Sequence, residues 1–351
     1  MYKARPHTSE QWQVVLWQGS SVRMMAWNCR LLLATLLLVT SSLVAADPLT
    51  QEDLAWLKIM AYAAHKTDYV GTFVYQYGNH VETSRITHIS DQHGDHGRLE
   101  RLDGNQREII HSNDQVWSNE GGRRMKVGYR HDKSAFPAVL PEQWALLSEN
   151  YRIKKMEEGR VAGFPTQAFL LEPKDDLRYT HKMWAHSDSG LLLKVAVLDK
   201  RGRIIEQYAF TQLTIGGNID QGWMPHEKST SAFCTVDQHI AQASKGSGVV
   251  SSNGWHVGSL PKGFKKTLEM QRTFHGKDTP VTHLVYSDGL AGISVFIEDM
   301  NSKAGLNSGL TSQGAIQVYS KVKEDHLVTV VGEIPPTTLM QVADSIRYQG
   351  Q

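Results

Sequence analysis

His88, His93, Asp95 and His96 form the densest set of side chains in the chain that could ligate a metal. Imidazole and carboxylate together suit Zn²⁺ or Ni²⁺, and a metal held there could activate water for hydrolysis. Against this, Gln92-His93-Gly94-Asp95-His96-Gly97 reads as a polar turn and offers no evident fourth ligand. A solvated loop is the stronger reading, and no metal or other cofactor is expected. The remaining histidines, of 16 in all, scatter over strand-like segments. They could make the fold respond to pH or simply decorate its surface.

Nucleophilic chemistry has even less support. Ser320-x-x-Lys323 formally matches a Ser/Lys pair. On a strand, however, residues three apart face opposite sides. No G-x-S-x-G elbow, H-E-x-x-H helix, Walker A loop or Rossmann fingerprint occurs. The expectation is a protein that binds and does not catalyse.

The aromatic residues point to what it could bind. Tyr69, Gly71, Phe73, Tyr75 and Tyr77 alternate with Val70, Thr72, Val74 and Gln76, which gives one strand a strongly aromatic face. Trp56, Trp117, Phe136, Trp144, Trp184 and Tyr208 add further rings nearby in sequence. These rings could fill a closed core. They could equally line a concave apolar cavity for an acyl chain or apolar peptide. Composition leaves both readings open. The candidate ligand-binding residues are Trp56, Phe73, Tyr75, Tyr77 and Trp117.

The elements that must position these residues follow from patterning. The 351 residues carry 37 Lys+Arg against 36 Asp+Glu, with 40% hydrophobic and 21% charged residues. That is ordinary for a folded chain and lacks the basic excess of a nucleic-acid binder. Two cysteines exclude a disulfide scaffold or a Cys-rich zinc module. The segment 24–46 has a short basic lead ending at Arg30, the apolar run Leu31–Val39 and Val44-Ala45-Ala46 before Asp47. This is a secretory signal pattern, too short for a comfortable membrane span. Residues 1–23 then read as an upstream extension from a start codon assigned too early. After cleavage Cys234 is the only thiol, read as a buried and inert one.

Thr50-Gln-Glu-Asp53 resembles a capping box opening a helix with Leu54, Leu57, Ala61 and Ala64 on one face. Strands then recur up to about Leu213, separated by Gly/Asp/Asn turns and by a single short helix near Pro141–Leu147. No helical spacers of βαβ type intervene, so the sheet is antiparallel, and so many strands should curl into a half-barrel. Residues 220–253 read as a linker. A further set of strands follows, with a polar loop at Gly305–Gly314 and a last helix after Pro335-Pro336 whose core face is Leu339, Val342, Ala343 and Ile346. The expected fold class is α+β in two domains: a half-barrel over 47–219 and a smaller α+β domain over 254–351.

Several segments resemble the RseB/MucB family of exported regulators of the envelope-stress sigma factor. They are Val331-Gly-Glu-Ile-Pro-Pro336 with Val342-Ala-Asp-Ser-Ile-Arg347, Tyr286-Ser-Asp-Gly-Leu290, Leu102-Asp-Gly104 with Arg107-Glu-Ile-Ile110, and Met183-Trp184 with Leu191–Val197. The likeness spans almost the whole chain after the signal segment. The 216–253 segment and the His-rich loop depart from the family's pattern.

The resemblance implies a periplasmic negative regulator. Its N-terminal half-barrel would be similar to lipoprotein carriers and accommodate a lipid or lipopolysaccharide fragment. Its C-terminal domain would engage the periplasmic segment of a membrane-anchored anti-sigma factor and shield it from the stress protease. Lipid would release it, and a homodimer is compatible with this picture. Tyr286, Asp288 and Leu290 are the candidate partner-binding residues, with Asp288-Gly289 forming a turn. The competing function is a periplasmic lipid or lipoprotein carrier, for which the second domain of about 100 residues has no evident use.

Overall fold

The computed structural model describes residues 51–113, 115–121, 123–129, 136–141, 147–224, 254–272, 279–300 and 308–349. The signal segment, Trp144, Cys234 and most of the expected linker lie outside them. The described residues belong to one unit, Leu49–Gln351.

Helix α1 (Gln51–Lys66) carries Glu52 and Asp53 in its first turn and His65 and Lys66 in its last, the charge order a helix dipole favours. It buries Leu57, Met60, Ala61 and Ala64, a stripe at helical spacing. The chain then enters β1 (Tyr69–Tyr77) and β2 (His80–Asp91). Next come β3 (Gly94–Arg101), β4 (Arg107–Ser112), β5 (Gln115–Glu120) and β6 (Arg123–Tyr129). After the one-turn α2 (Leu147–Asn150), five more strands complete the sheet. They are β7 (Tyr151–Val161), β8 (Phe164–Pro173), β9 (Thr180–His186), β10 (Leu192–Leu198) and β11 (Ile204–Ile215).

Together they form one eleven-stranded sheet in the order β6-β5-β4-β3-β2-β1-β11-β10-β9-β8-β7, with every pairing antiparallel. Strands β7 and β11 are four places apart in that order, about 19 Å in a flat sheet. They nevertheless come into contact, and α1 touches β2, β10 and β7 alike. The sheet is therefore curled around the helix, as the strand count requires. Tyr69 and Phe73 of β1 point into this trough with Leu57, Phe169, Met183 and Phe210. Gly71 lies between them, where a Cβ would stand 2.6 Å from the Phe210 ring. A side chain at that position would push the ring out of the trough.

The C-terminal part is a six-stranded antiparallel sheet, ordered β13-β14-β15-β18-β17-β16. Its strands are β13 (Lys265–Arg272), β14 (Val281–Ser287), β15 (Gly292–Asp299), β16 (Gly309–Gln313), β17 (Ile316–Lys323) and β18 (His326–Gly332). Helix α3 (Pro336–Ser345) covers it with Leu339, Val342 and Ala343. The short pair β12 (Trp255–Val257) and β19 (Ile346–Tyr348) forms a separate two-stranded ladder that adds Val257 and Ile346 to the same core.

The fold class is as expected, with three local corrections. Ile346, expected on the core face of the last helix, is buried as the first residue of β19. The second half of the Gly305–Gly314 loop is strand β16, whose five residues are all exposed at a sheet edge. An edge strand with no buried face carries no apolar alternation to read. The His-rich turn is likewise mostly strand, because β3 starts at Gly94.

Candidate ligand cavity and the contacts between the two sheets

A cavity of about 290 Å³ opens in the N-terminal sheet, lined by Tyr69, Ile86, Leu99, Ile109, Val116, Phe136, Pro137 and Ala138, with His88, Asp95, Arg98 and His111 supplying polar groups. Ile86 and His88 on β2, and Leu99 across from Ile86 on β3, share one face by strand alternation and register. An apolar lining with a few converging polar groups is the usual form of a small-ligand site.

The polar wall is a cluster centred on Asp95. Its carboxylate meets three imidazoles: His65 Nδ1 at 2.9 Å, His88 Nε2 at 2.8 Å and His111 Nε2 at 3.1 Å. Burial opposes its charge, but the hydrogen bonds from His111, His65 and His88 prevail and hold it well below the usual carboxylate range. His88 Nδ1 lies 2.8 Å from the Thr67 carbonyl, and its ring stacks on Tyr69. Gly97 is opposite His111 in the register. A Cβ there would collide with the imidazole, so glycine is what lets His111 reach Asp95.

The four metal candidates therefore separate. His88 and Asp95 enter this cluster, while His96 and His93 turn to Asp91, at 3.3 and 3.7 Å. Among the described residues no group of His, Cys, Asp and Glu is arranged to hold a metal ion. Ser320 and Lys323 also part company. Ser320 Oγ is 2.9 Å from Thr329 Oγ1, and Lys323 reaches the Ile346 carbonyl.

The five aromatic candidates occupy several places, none of them in the cavity lining itself. Phe73 stands directly behind it, 5.1 Å from the Phe136 ring. Trp56 packs on Phe169. Trp117 joins Ile89, Ile110 and Trp223 in a separate cluster, with Ile219 and Met224 against it. Tyr75 stacks on Tyr208 at 4.4 Å and lies tilted against Tyr77 at 5.2 Å, near the end of the sheet that meets the C-terminal part. The sequence reading missed His65 and His111 as a pair. They are 30 and 16 residues from Asp95; strand register brings in His111, and the packing of α1 on the sheet brings in His65.

The three partner candidates lie in one hairpin. Tyr286 is buried in the C-terminal core. Asp288 caps its own turn, its Oδ1 accepting from the amides of Leu290 at 3.0 Å and Ala291 at 2.8 Å. Its other oxygen reaches across to the N-terminal sheet, accepting from Arg178 Nε at 2.5 Å and from Tyr151 OH at 3.1 Å. The pair is fully enclosed, Arg178 being 1% and Asp288 0% exposed. Arg178 also reaches Asp175 and the Lys262 carbonyl and lies over the Phe264 ring. Burial, with the Asp288 charge beside it, pushes the Tyr151 phenol well up. Leu290 packs into the core of the N-terminal sheet.

A second contact joins the sheets at Glu206 of β11. Its Oε2 accepts from Tyr75 OH at 3.0 Å and from the Ala315 amide at 2.8 Å, the latter in the β16–β17 turn. Burial raises the Glu206 carboxyl above its usual range, although the Ala315 and Tyr75 hydrogen bonds oppose the shift. Nearby, Gln317 Nε2 donates to Tyr179 OH at 3.5 Å.

No helix among the described residues is long and apolar enough to cross a membrane. Residues 52–228 match the MucB/RseB N-terminal domain and residues 250–347 the MucB/RseB C-terminal domain. The chain is 31% identical over 319 residues to the sigma factor AlgU regulatory protein MucB of Pseudomonas aeruginosa, covering 89% of this chain and 96% of that protein. To the sigma-E factor regulatory protein RseB of Haemophilus influenzae it is 26% identical over 316 residues, with 90% and 96% covered. Among solved structures it resembles MucB in the Pseudomonas aeruginosa MucA/MucB complex, at 29% identity and a TM-score of 0.63, covering 85% of this chain and 99% of that one. A crystal structure of MucB in complex with MucA(peri) is similar at 29% identity and a TM-score of 0.62, with the same coverage. With both of its sheets matched in order and nearly end to end, this chain belongs to the MucB/RseB family.

Proposed function

We propose that this chain is a periplasmic regulator that binds the periplasmic segment of a membrane-anchored anti-sigma factor, shields it from regulated proteolysis and lets go when a lipid or lipopolysaccharide-type ligand binds. The observation that carries the reading is full-length similarity to MucB, which is solved in complex with MucA(peri). The cavity beside Phe136 supports the ligand half of it. Release follows from linkage: a ligand that prefers the unbound conformer weakens the partner by its differential affinity, and one indifferent to both states does nothing. Tyr286, Asp288 and Leu290 are proposed to border the partner surface, in the hairpin that ties both sheets together. Phe73 and Tyr75 are proposed to act on the ligand from behind the lining.

The test uses protein beginning at Asp47 and the periplasmic segment of the anti-sigma factor encoded beside its sigma factor. Calorimetry should show binding, the segment should resist the stress protease in the complex, and vesicles of anionic lipid should weaken both effects. Lipid binding with no affinity for the segment would overturn this reading in favour of the carrier. Segment binding that lipid leaves unchanged would remove the release step.

A further inference from the structure

A continuous line of rings runs from the cavity wall to the C-terminal sheet. Phe136 lines the cavity and stacks on Tyr208, with centroids 5.6 Å apart and planes at 15°. Tyr208 stacks in turn on Tyr75, at 4.4 Å and 16°. The Tyr75 hydroxyl donates to Glu206, and the same carboxylate oxygen accepts the Ala315 amide from the other sheet. Glu206 is buried, and both of these donors are neutral. A buried carboxylate held by neutral donors depends on keeping every one of them, because each lost hydrogen bond leaves charge poorly solvated. Such a contact is sensitive to a small displacement of Tyr75.

We infer that the stack Phe136–Tyr208–Tyr75, ending on Glu206, passes the state of the cavity to the C-terminal sheet. The inference rests on the reading that the cavity takes an apolar ligand. A chain entering against Phe136 displaces the stacked rings, draws the Tyr75 hydroxyl away from Glu206 and loosens the hold on Ala315. Glu206 and Tyr75 are positioning residues here, since neither lines the cavity. The Arg178–Asp288 pair keeps the sheets attached while the Glu206 contact yields.

Coupling is reciprocal: if the ligand weakens this contact, breaking the contact strengthens the ligand by the same factor. The experiment is a calorimetric titration with dodecyl phosphate below its critical micelle concentration, a single alkyl chain with a small head. The probe is chosen for its single alkyl chain, and the titration compares the protein from Asp47 with Tyr75→Phe, Glu206→Gln and Phe136→Ala, each checked for folding by urea unfolding. Tyr75→Phe keeps both ring stacks and removes only the hydroxyl. It should tighten binding by about 5-fold or more, the lower end of typical allosteric coupling. Glu206→Gln should tighten binding too, and Phe136→Ala should weaken it. Unchanged or weaker binding in both folded junction variants overturns the relay and leaves the cavity reading intact, provided the parent binds and Phe136→Ala does not. No binding by the parent overturns the cavity reading and the relay with it.

Discussion

At Asp288 the two sheets are joined by a carboxylate whose charge is matched by Arg178, while at Glu206 they are joined by one held by a phenol and a backbone amide. Both are buried and both cross between the same two sheets. They differ in what happens when one partner goes. Removing Asp288 leaves a guanidinium enclosed with its main counter-charge gone. Removing the Tyr75 hydroxyl leaves Glu206 with one donor fewer and access to a proton, since burial already raises its carboxyl. Ion-paired contacts of the first kind resist graded change, and neutral-donor contacts of the second kind permit it. The proposed release, an opening without unfolding, would draw on both.

Breaking the first contact is expected to have the largest effect. Asp288→Ala should cost about 3–5 kcal/mol, the usual penalty for leaving one charge of a buried pair alone. Urea unfolding measures it. The double variant Asp288→Ala with Arg178→Met should recover part of the loss. A loss in Asp288→Ala of the size expected at the surface would show that the pair is not what holds the sheets.

Next in size is Phe73, which touches Phe136, Tyr208 and Phe210 in the trough. Phe73→Ala should cost about 3 kcal/mol or more by opening a void in the core. It should also weaken dodecyl phosphate, because Phe136 would lose its backing. Destabilisation with no change in ligand affinity would assign Phe73 to packing alone.

Acid should act at the ion-paired contact first. His181 on β9 faces the Tyr151 ring and is buried, which lowers its pKa to about 4 against the Asp288 charge, whose effect is to raise it. The folded state thus holds this imidazole neutral. Its contribution is complete above the unfolded value near 6.5 and is lost as pH falls toward about 4. The loss is on the order of 3 kcal/mol. Asp95, also lowered, adds a loss only at more acidic pH, below the ordinary carboxylate range. Glu206 has the opposite sign, its raised carboxyl returning some stability as pH falls. His181→Gln should flatten the melting temperature between pH 6.5 and 4. An unchanged slope would place the acid sensitivity elsewhere.

How much of this was legible in the sequence depends on how local each interaction is. The β1 alternation, the Leu57/Ala61 helix face and the Ser-Asp-Gly turn at Asp288 are set by neighbours a few residues apart, and the structure has them where the pattern places them. The other half of Asp288's role was not legible, because Arg178 is 110 residues away. The Asp95 cluster escaped for the same reason, since its histidines come from α1, β2 and β4. Strand β16 escaped because an exposed edge has no pattern to show. Sequence periodicity assigns faces, but pairing register and the packing of elements assign partners.

The smallest effect is the most informative for the comparison. Tyr75→Phe removes one hydrogen bond to Glu206 and keeps the Tyr208 stack, so its cost should be about 1.5 kcal/mol, the lower end for a hydrogen bond to a charged group. Placed beside Asp288→Ala, that ratio would separate a contact that can yield from one that cannot. The loss should also be local. Hydrogen exchange at the Ala315 amide, which donates to the same carboxylate oxygen, should speed up more than exchange at Ala291, whose amide is held by Asp288. Equal changes at both would mean that the sheets separate as one event. Faster exchange at Ala315 alone, with melting nearly unchanged, is what a junction built to loosen requires.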